Sequence, residues 1–157
     1  MPNKNQAVPL GLSRFKYLSR LMGMKRNGSR QPIWLAIIVL AHLVISIVHG
    51  TAHAKAHVPL SPAADIFVFA VIVAGPLIGL ILTWPTPKVG KWLIALTMAG
   101  ALIFGVVNHF VLSGPDHVTH VDPQWRALFT TTAVLLVISE MLGSGLAVCS
   151  MWARRLR

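Results

Sequence analysis

Four long apolar segments, separated by short stretches rich in proline and glycine, limit what this chain can fold into. They cover residues 33–51, 64–84, 92–112 and 127–151. A membrane-spanning helix needs about 20 mostly apolar residues, because each residue advances the helix by about 1.5 Å. The runs are continuous and lack the alternation of a membrane β-strand. Because the connections are short, consecutive helices should be antiparallel neighbours. The sequence therefore predicts an all-α integral membrane protein with a four-transmembrane-helix up-down bundle.

The basic residues are distributed unevenly around these segments. All of the 14 Lys and Arg residues except Lys55 and Arg126 lie before the first segment, between the second and third, or after the fourth. Basic residues favour the cytoplasmic side of a membrane, so both termini are expected to be cytoplasmic. The expected organisation is a basic N-terminal segment (1–32), a transmembrane domain (33–153) and a basic tail (154–157).

The N-terminal segment is partly amphipathic as well as basic, and such a helix can bind anionic lipids. A tail that only fixes the topology is an equal alternative. The absence of acidic residues before Asp65 also fits a mitochondrial transit peptide. The expected location is therefore a bacterial inner membrane, with the mitochondrial inner membrane as the alternative.

Composition excludes several classes of protein. Only 11% of the residues are charged, against about 25% in soluble domains. Cys149 is the single cysteine, so neither an intrachain disulfide nor a cysteine-rich zinc site can form. The basic segment lacks the aromatic residues of a nucleic-acid-binding module, so no nucleic-acid partner is expected.

All seven histidines fall at mid-membrane or on the extracytoplasmic side of the predicted topology. His49, His53 and His57 are spaced four residues apart, a spacing at which two helical histidines can bind one metal ion. His109 lies at about the depth of His49, and His117 lies in the outer loop. These five histidines are the predicted metal ligands.

Imidazole suits zinc, copper or iron, and the pairing of His49 with His109 also suits a b-type haem. The pattern leaves the ion and the haem as alternatives. It is also compatible with histidines that are only solvated or hydrogen-bonded, or that sense pH.

Two further polar residues, His42 and Glu140, lie near the centres of the first and fourth segments. An ionised carboxylate is costly in hydrocarbon, so Glu140 should face the bundle interior and form a buried polar pair with His42. Such a pair can serve as a proton relay or fix helix register.

These features predict a small polytopic protein with an extracytoplasmic histidine-rich site for a transition metal or haem, used in metal handling or electron transfer. The main alternative is a structural or accessory subunit of a larger membrane complex or of a homo-oligomer. A metal-dependent membrane oxidase is a third hypothesis, and it requires more ligands than the pattern assigns.

Overall fold

The computed structural model describes residues 33–152. These residues form four helices, each long and apolar enough to cross a membrane: α1 (Ile33–Lys55), α2 (Pro62–Leu82), α3 (Pro87–Val111) and α4 (Pro123–Trp152). This finding confirms the expected all-helical architecture with four candidate spans, as in a multi-pass membrane protein. The expectations for residues 1–32 and 153–157 lie outside the described residues, and the cytoplasmic placement of the termini stays a prediction.

Three of the helices begin at a proline that separates two apolar segments in the sequence. Pro62, Pro87 and Pro123 are the first residues of α2, α3 and α4. Proline suits this position because the first-turn N–H groups have no partner within the helix and its φ angle is already helical. The hydroxyl of Ser61 caps α2 by accepting a hydrogen bond from the Ala64 N–H at 3.2 Å. Helices α2, α3 and α4 therefore begin a few residues before the apolar segments that the sequence predicts.

The C-terminal end of α1 follows a specific termination motif. His57 adopts a left-handed conformation with φ of 52°. The Val58 N–H donates to the His53 carbonyl at 3.1 Å, and the His57 N–H donates to the Ala54 carbonyl at 3.4 Å. These are the two hydrogen bonds of a Schellman cap. His49, His53 and His57 therefore do not lie on one continuous helix, because the chain turns between His53 and His57.

Helices α1 and α4 are antiparallel, because His42 contacts Ser139 and His49 contacts Thr132. Helices α2 and α3 are antiparallel as well, because Gly75 lies against Thr97 and Gly79 against Ile94. Helix α4 packs mainly against α1 and α3, and α2 packs mainly against α3. Contacts between α1 and α2 are far fewer, which leaves space between these two helices.

Helix α2 contains a π-helical segment, Val68–Ala74, just before Gly75 and Pro76. Proline has no N–H, so the carbonyl of Ile72, four residues before Pro76, loses its α-helical donor. The ring of His42 supplies a donor instead, with Nε2 3.1 Å from this oxygen. The irregular middle of α2 is thus connected to a buried histidine of α1.

The interior is largely apolar at one end of the bundle, where Lys91 and Thr83 are also buried, and polar at the other end. A closed apolar cluster fills the end that holds both the start of α1 and the end of α4: Leu35, Val39, Ile94, Ala95, Met98 and Ala147. Many large apolar side chains face outward instead; Phe69 is 71% exposed and Ile103 is 65% exposed. A soluble monomer rarely exposes so much contiguous apolar surface, whereas a lipid-facing surface requires it.

Candidate metal centre

Three of the predicted ligand histidines lie together at the other end of the bundle. His49 and His53 come from α1 and His109 from α3, and all three are buried. One ring nitrogen from each lies within 4.8 Å of the others. The Nε2 atoms of His49 and His109 are 3.2 Å apart. We call these three residues the histidine cluster.

Helical periodicity explains the contribution of α1 to the cluster. Residues four apart lie one turn apart on the same face. The rings of His49 and His53 accordingly lie 4.8 Å apart, measured between centroids. Phe129 of α4 packs against them, with its ring centre 4.8 Å from each. An aromatic ring at this position shields the cluster from water on the α4 side.

His109 is placed by a second π-helical segment, Val107–Val111, which ends α3. Such a segment adds a residue to the turn and changes which side chains face the bundle; it is frequent at functional sites. The neighbouring Asn108 does not contact the cluster. Its amide donates to the Phe104 carbonyl of its own helix at 2.8 Å.

The hydrogen bonds around His49 determine which of its ring nitrogens carries the proton. Nδ1 lies 2.8 Å from the hydroxyl oxygen of Thr132. That hydroxyl donates its own proton to the Leu128 carbonyl, also at 2.8 Å. The Thr132 oxygen is therefore an acceptor for His49, so Nδ1 bears the hydrogen and Nε2 presents a lone pair.

The same reasoning applies to His109. Its Nδ1 lies 3.1 Å from the main-chain oxygen of Asp116 and 3.2 Å from Oδ1 of the same residue. Both oxygens are acceptors, so Nδ1 must be the donor, and in the neutral ring Nε2 presents a lone pair. In their neutral forms, His49 and His109 therefore face each other with two lone pairs. A neutral imidazole that donates its other N–H to a hydroxyl, carbonyl or carboxylate is prepared for metal binding.

Asp116 lies in the loop between α3 and α4 and supports two of the histidines. Its Oδ1 is also 3.3 Å from Nε2 of His53. Burial alone would raise the pKa of this carboxyl, but the contact with His109 and the attraction to the cluster histidines in their protonated forms outweigh burial, and the net pKa is lowered. Asp116 therefore stays ionised and places a negative charge beside the cluster.

The loop is held in place by apolar contacts. Val118 and Val121 pack against Ala52 of α1 and Phe129 of α4. The Val118 N–H also donates to the main-chain oxygen of His109 at 3.1 Å. These contacts fix the position of Asp116 relative to the two helices that carry the histidines.

His53 has one polar atom without a partner. Its Nδ1 is buried and has no hydrogen-bond partner anywhere in residues 33–152. A buried nitrogen normally has a partner, because leaving it unsatisfied is costly. The main chain of Val58 lies beside the His53 ring, and Oδ1 of Asp116 is likewise buried without a hydrogen-bond partner of ordinary geometry among the described residues. The cluster therefore retains polar atoms that a bound group could satisfy.

The remaining predicted ligands, His57 and His117, are not part of the cluster. His57 is exposed after the turn that ends α1. Nδ1 of His117 lies 2.8 Å from the hydroxyl of Thr119 within the loop, and its ring lies beside that of His120. Metal binding by any of the five histidines stays a prediction.

A cavity of about 310 Å³ adjoins the cluster and extends along the space between α1 and α2. Its lining is largely apolar, and Glu140 of α4 forms part of its wall together with His49, His53 and His109. Asp65, at the start of α2, also lines it. The cluster is thus open to an internal space on one side while Phe129 covers it on another.

His42 and Glu140 are both buried, and Nδ1 of His42 lies 3.9 Å from Oε1 of Glu140. This separation is too long for a hydrogen bond. His42 is instead bonded to Ile72 and lies 3.3 Å from the Ser139 hydroxyl. The buried polar pair of His42 and Glu140 stays a prediction. Sequence reasoning did not identify the contacts of His42 with Ile72 and Ser139, or the role of Thr132.

Comparisons of the chain with protein-family models, curated proteins and solved structures found no match. What the molecule itself shows is a protein with four candidate membrane spans and a buried cluster of three histidines that is compatible with a metal site.

Proposed function

We propose that this protein binds one transition-metal ion through His49, His53 and His109. The observation that carries this proposal is the 3.2 Å separation between two imidazole nitrogens that both present lone pairs. Two lone pairs at this distance repel each other unless a cation lies between them. With zinc–nitrogen bonds of 2.0–2.1 Å, two ligands of a tetrahedral ion are about 3.3 Å apart. The observed separation fits that geometry.

The third histidine favours a metal ion over a shared proton. A proton bridges two nitrogens and gives a third no role, whereas an ion can bind all three once the ring nitrogens, which lie within 4.8 Å of one another, move closer together. Sites with three protein ligands keep a fourth position for water or a substrate. Here the cavity supplies the space for that fourth ligand. Nitrogen ligands without a thiolate suit Zn²⁺, Cu²⁺ or Fe²⁺.

The same separation disfavours haem. Two axial histidines lie on opposite faces of a porphyrin, so their nitrogens must be about 4 Å apart, twice a metal–nitrogen bond length. The rings of His49 and His109 have centroids 4.9 Å apart and cross at 77° in direct contact. This arrangement supports an ion in place of the haem that the sequence left open.

We further propose that the cluster lies toward the extracytoplasmic side of a bacterial cell membrane. The support is the charge distribution of the sequence: the connection between α3 and α4, which carries Asp116, is flanked by few basic residues, while the opposite ends of the helices are rich in them. The ion would then exchange with that side through the cavity. Handling of a metal ion is the activity that this arrangement supports best.

The test is metal analysis of the purified, detergent-solubilised protein, followed by titration with Zn²⁺ and with Co²⁺ as its optically visible substitute. The wild-type protein should bind one ion. His49→Ala and His109→Ala should weaken binding by more than the roughly 10–100-fold that follows loss of an outer hydrogen-bond partner.

His117→Ala is the matched control, because it removes a histidine that lies outside the cluster and should leave binding unchanged. Folded wild-type protein that binds none of zinc, cobalt, copper or iron would refute the proposal and favour an accessory subunit. Equal affinity in the wild type and the His49→Ala variant would also refute it.

A further inference from the structure

A buried acid lies in the middle of α4, away from the histidine cluster. Glu140 is 2% exposed, and its Oε2 atom is buried without a hydrogen-bond partner among the residues that the structure describes. The nearest basic atom is Nδ1 of His42, 3.9 Å from Oε1. An ionised carboxylate in such surroundings needs several donors, and this one has none at hydrogen-bond distance.

His42 does not donate a hydrogen bond to Glu140, because its two ring nitrogens face other groups. Nε2 donates to the Ile72 carbonyl, which the proline in α2 leaves without its helical donor. Nδ1 lies 3.3 Å from the Ser139 hydroxyl, whose own proton goes to the Leu136 carbonyl at 2.9 Å. A buried carboxyl group without a donor at hydrogen-bond distance is stabilised by holding its own proton.

The other elements that face Glu140 bring no charge close to it. The sequences of α2 over residues 66–82 and of α3 over residues 92–108 contain no titratable side chain. The remaining titratable groups on the cavity wall come from its other end: His49, His53, Asp65, His109 and Asp116. His42 is thus the single titratable neighbour within 4.0 Å in the described chain.

The cavity connects Glu140 with the histidine cluster, since both form parts of its wall. A volume of 310 Å³ has room for about ten water molecules. On the opposite side the apolar cluster around Leu35, Met98 and Ala147 closes the interior. A proton can therefore reach Glu140 from the side of the histidines and not through the opposite end of the bundle.

We propose that Glu140 is a proton-binding site coupled to the histidine cluster: it holds one proton when the cluster has no metal ion and releases it into the cavity when a divalent cation binds. The step is the ionisation of a carboxylic acid, with the proton passing to cavity water and leaving on the cluster side. The inference rests on the proposed metal site. The cause is charge: His42 and His49 are seven residues apart, so the cation lies about 10 Å from Glu140 along the helix axis.

The experiment combines infrared spectroscopy with a count of released protons, using Zn²⁺ as the probe and the intact protein in detergent. The metal-free wild type should show the C=O stretching band of a protonated carboxylic acid, and Glu140→Gln should lack it. The band should shift in D₂O, since cavity water exchanges the proton, and disappear when zinc binds. Asp65→Asn, which alters another acid on the same cavity wall, should keep the band.

In a weakly buffered solution with a pH indicator, zinc binding should release one proton fewer from Glu140→Gln than from the wild type. Zinc binding by the variant also demonstrates that the variant is folded. A metal-free wild type without the band, or equal proton release from both proteins, would overturn the proposal. Zinc binding with an unchanged band refutes the coupling alone, whereas a wild type that binds no zinc refutes both the metal site and the coupling.

Discussion

The Asp116→Asn substitution tests whether the loop between α3 and α4 contributes to metal binding. An asparagine oxygen can still accept a hydrogen bond from His109, and the main-chain oxygen of Asp116 at 3.1 Å is unchanged. The substitution therefore removes mainly a negative charge. Oδ1 lies 3.2 Å from Nδ1 of His109, and across the imidazole ring this places the charge about 7 Å from a metal ion on Nε2.

The size of the effect follows from that distance. A divalent ion and a unit charge 7 Å apart interact by about 1 kcal/mol at the dielectric constant of water and by about 5 kcal/mol at an effective value of 20. The Asp116 side chain is 15% exposed, which favours an intermediate value. Loss of an outer carboxylate typically weakens metal binding by about 10–100-fold, equivalent to about 1.4–2.8 kcal/mol. We expect a loss within this range.

The assay is competition between the protein and a chelator of known zinc affinity, at several ionic strengths. Asp65→Asn is the control, because Asp65 lines the same cavity but forms no ion pair with a histidine of the described chain. It should lose less affinity than Asp116→Asn. An Asp116→Asn protein that is folded and binds zinc as tightly as the wild type would refute the reasoning that this carboxylate stabilises the charged site.

Three further substitutions or conditions have definite expected outcomes. Thr132→Val keeps the shape of the side chain but removes the acceptor of the His49 Nδ1–H, so zinc affinity in the same chelator assay should fall about 10–100-fold. Gly90→Ala would place a methyl group against the main chain of α2. This overpacking, worth about 1–3 kcal/mol, should lower the thermal unfolding temperature. Gly145→Ala has open space around it and should leave the unfolding temperature unchanged. Because the pKa of Asp116 is lowered in the folded protein, its stabilising effect is complete above the ordinary value of 3.8 and is lost as the pH falls below it. A pH series of unfolding temperatures for the wild type should show this acid loss, and Asp116→Asn should reduce it.

The level of each residue along its helix was predictable, because it depends only on the number of residues from the helix centre. The apolar runs located the four spans, and a rise of about 1.5 Å per residue placed His49 and His109 at one level. The helical repeat likewise placed His49 and His53 on one face of α1. These three residues form the cluster. The shared face of His49 and His53 was available from the sequence because both lie in regular helix, whereas only the depth of His109 was, because it lies in the π-helical end of α3.

The irregular parts of the site were not predictable in the same way. Pro59 marks the end of α1 only approximately, because the chain already turns at His57, in the left-handed position that glycine usually occupies. The loop presents Asp116 to the cluster and turns His117 toward Thr119. Adjacent loop residues point in different directions, and only the tertiary contacts of the loop determine which one meets the histidines.

The two π-helical segments explain why counting residues could not assign every side chain to a helix face. Each interrupts the repeat of 3.6 residues, so residues before and after it no longer share the face that simple counting assigns. In α2, Pro76 leaves the carbonyl of Ile72 without its helical donor, and this carbonyl accepts a hydrogen bond from His42. The residue that would satisfy this carbonyl could not be read from α2 alone, because it belongs to α1.

Charge balance connects the cluster with the buried acid. A net charge inside the apolar bundle is costly, so the occupied site should be close to neutral. In the proposed site, a divalent ion bound by neutral histidines would bring two positive charges. Ionised Asp116 would offset one of them, and ionised Glu140 would offset the other. A monovalent ion would be offset by Asp116 alone, and Glu140 would stay protonated. Two acids beside the cavity, one in the loop and one in α4, therefore favour a divalent ion whose binding releases the proton of Glu140.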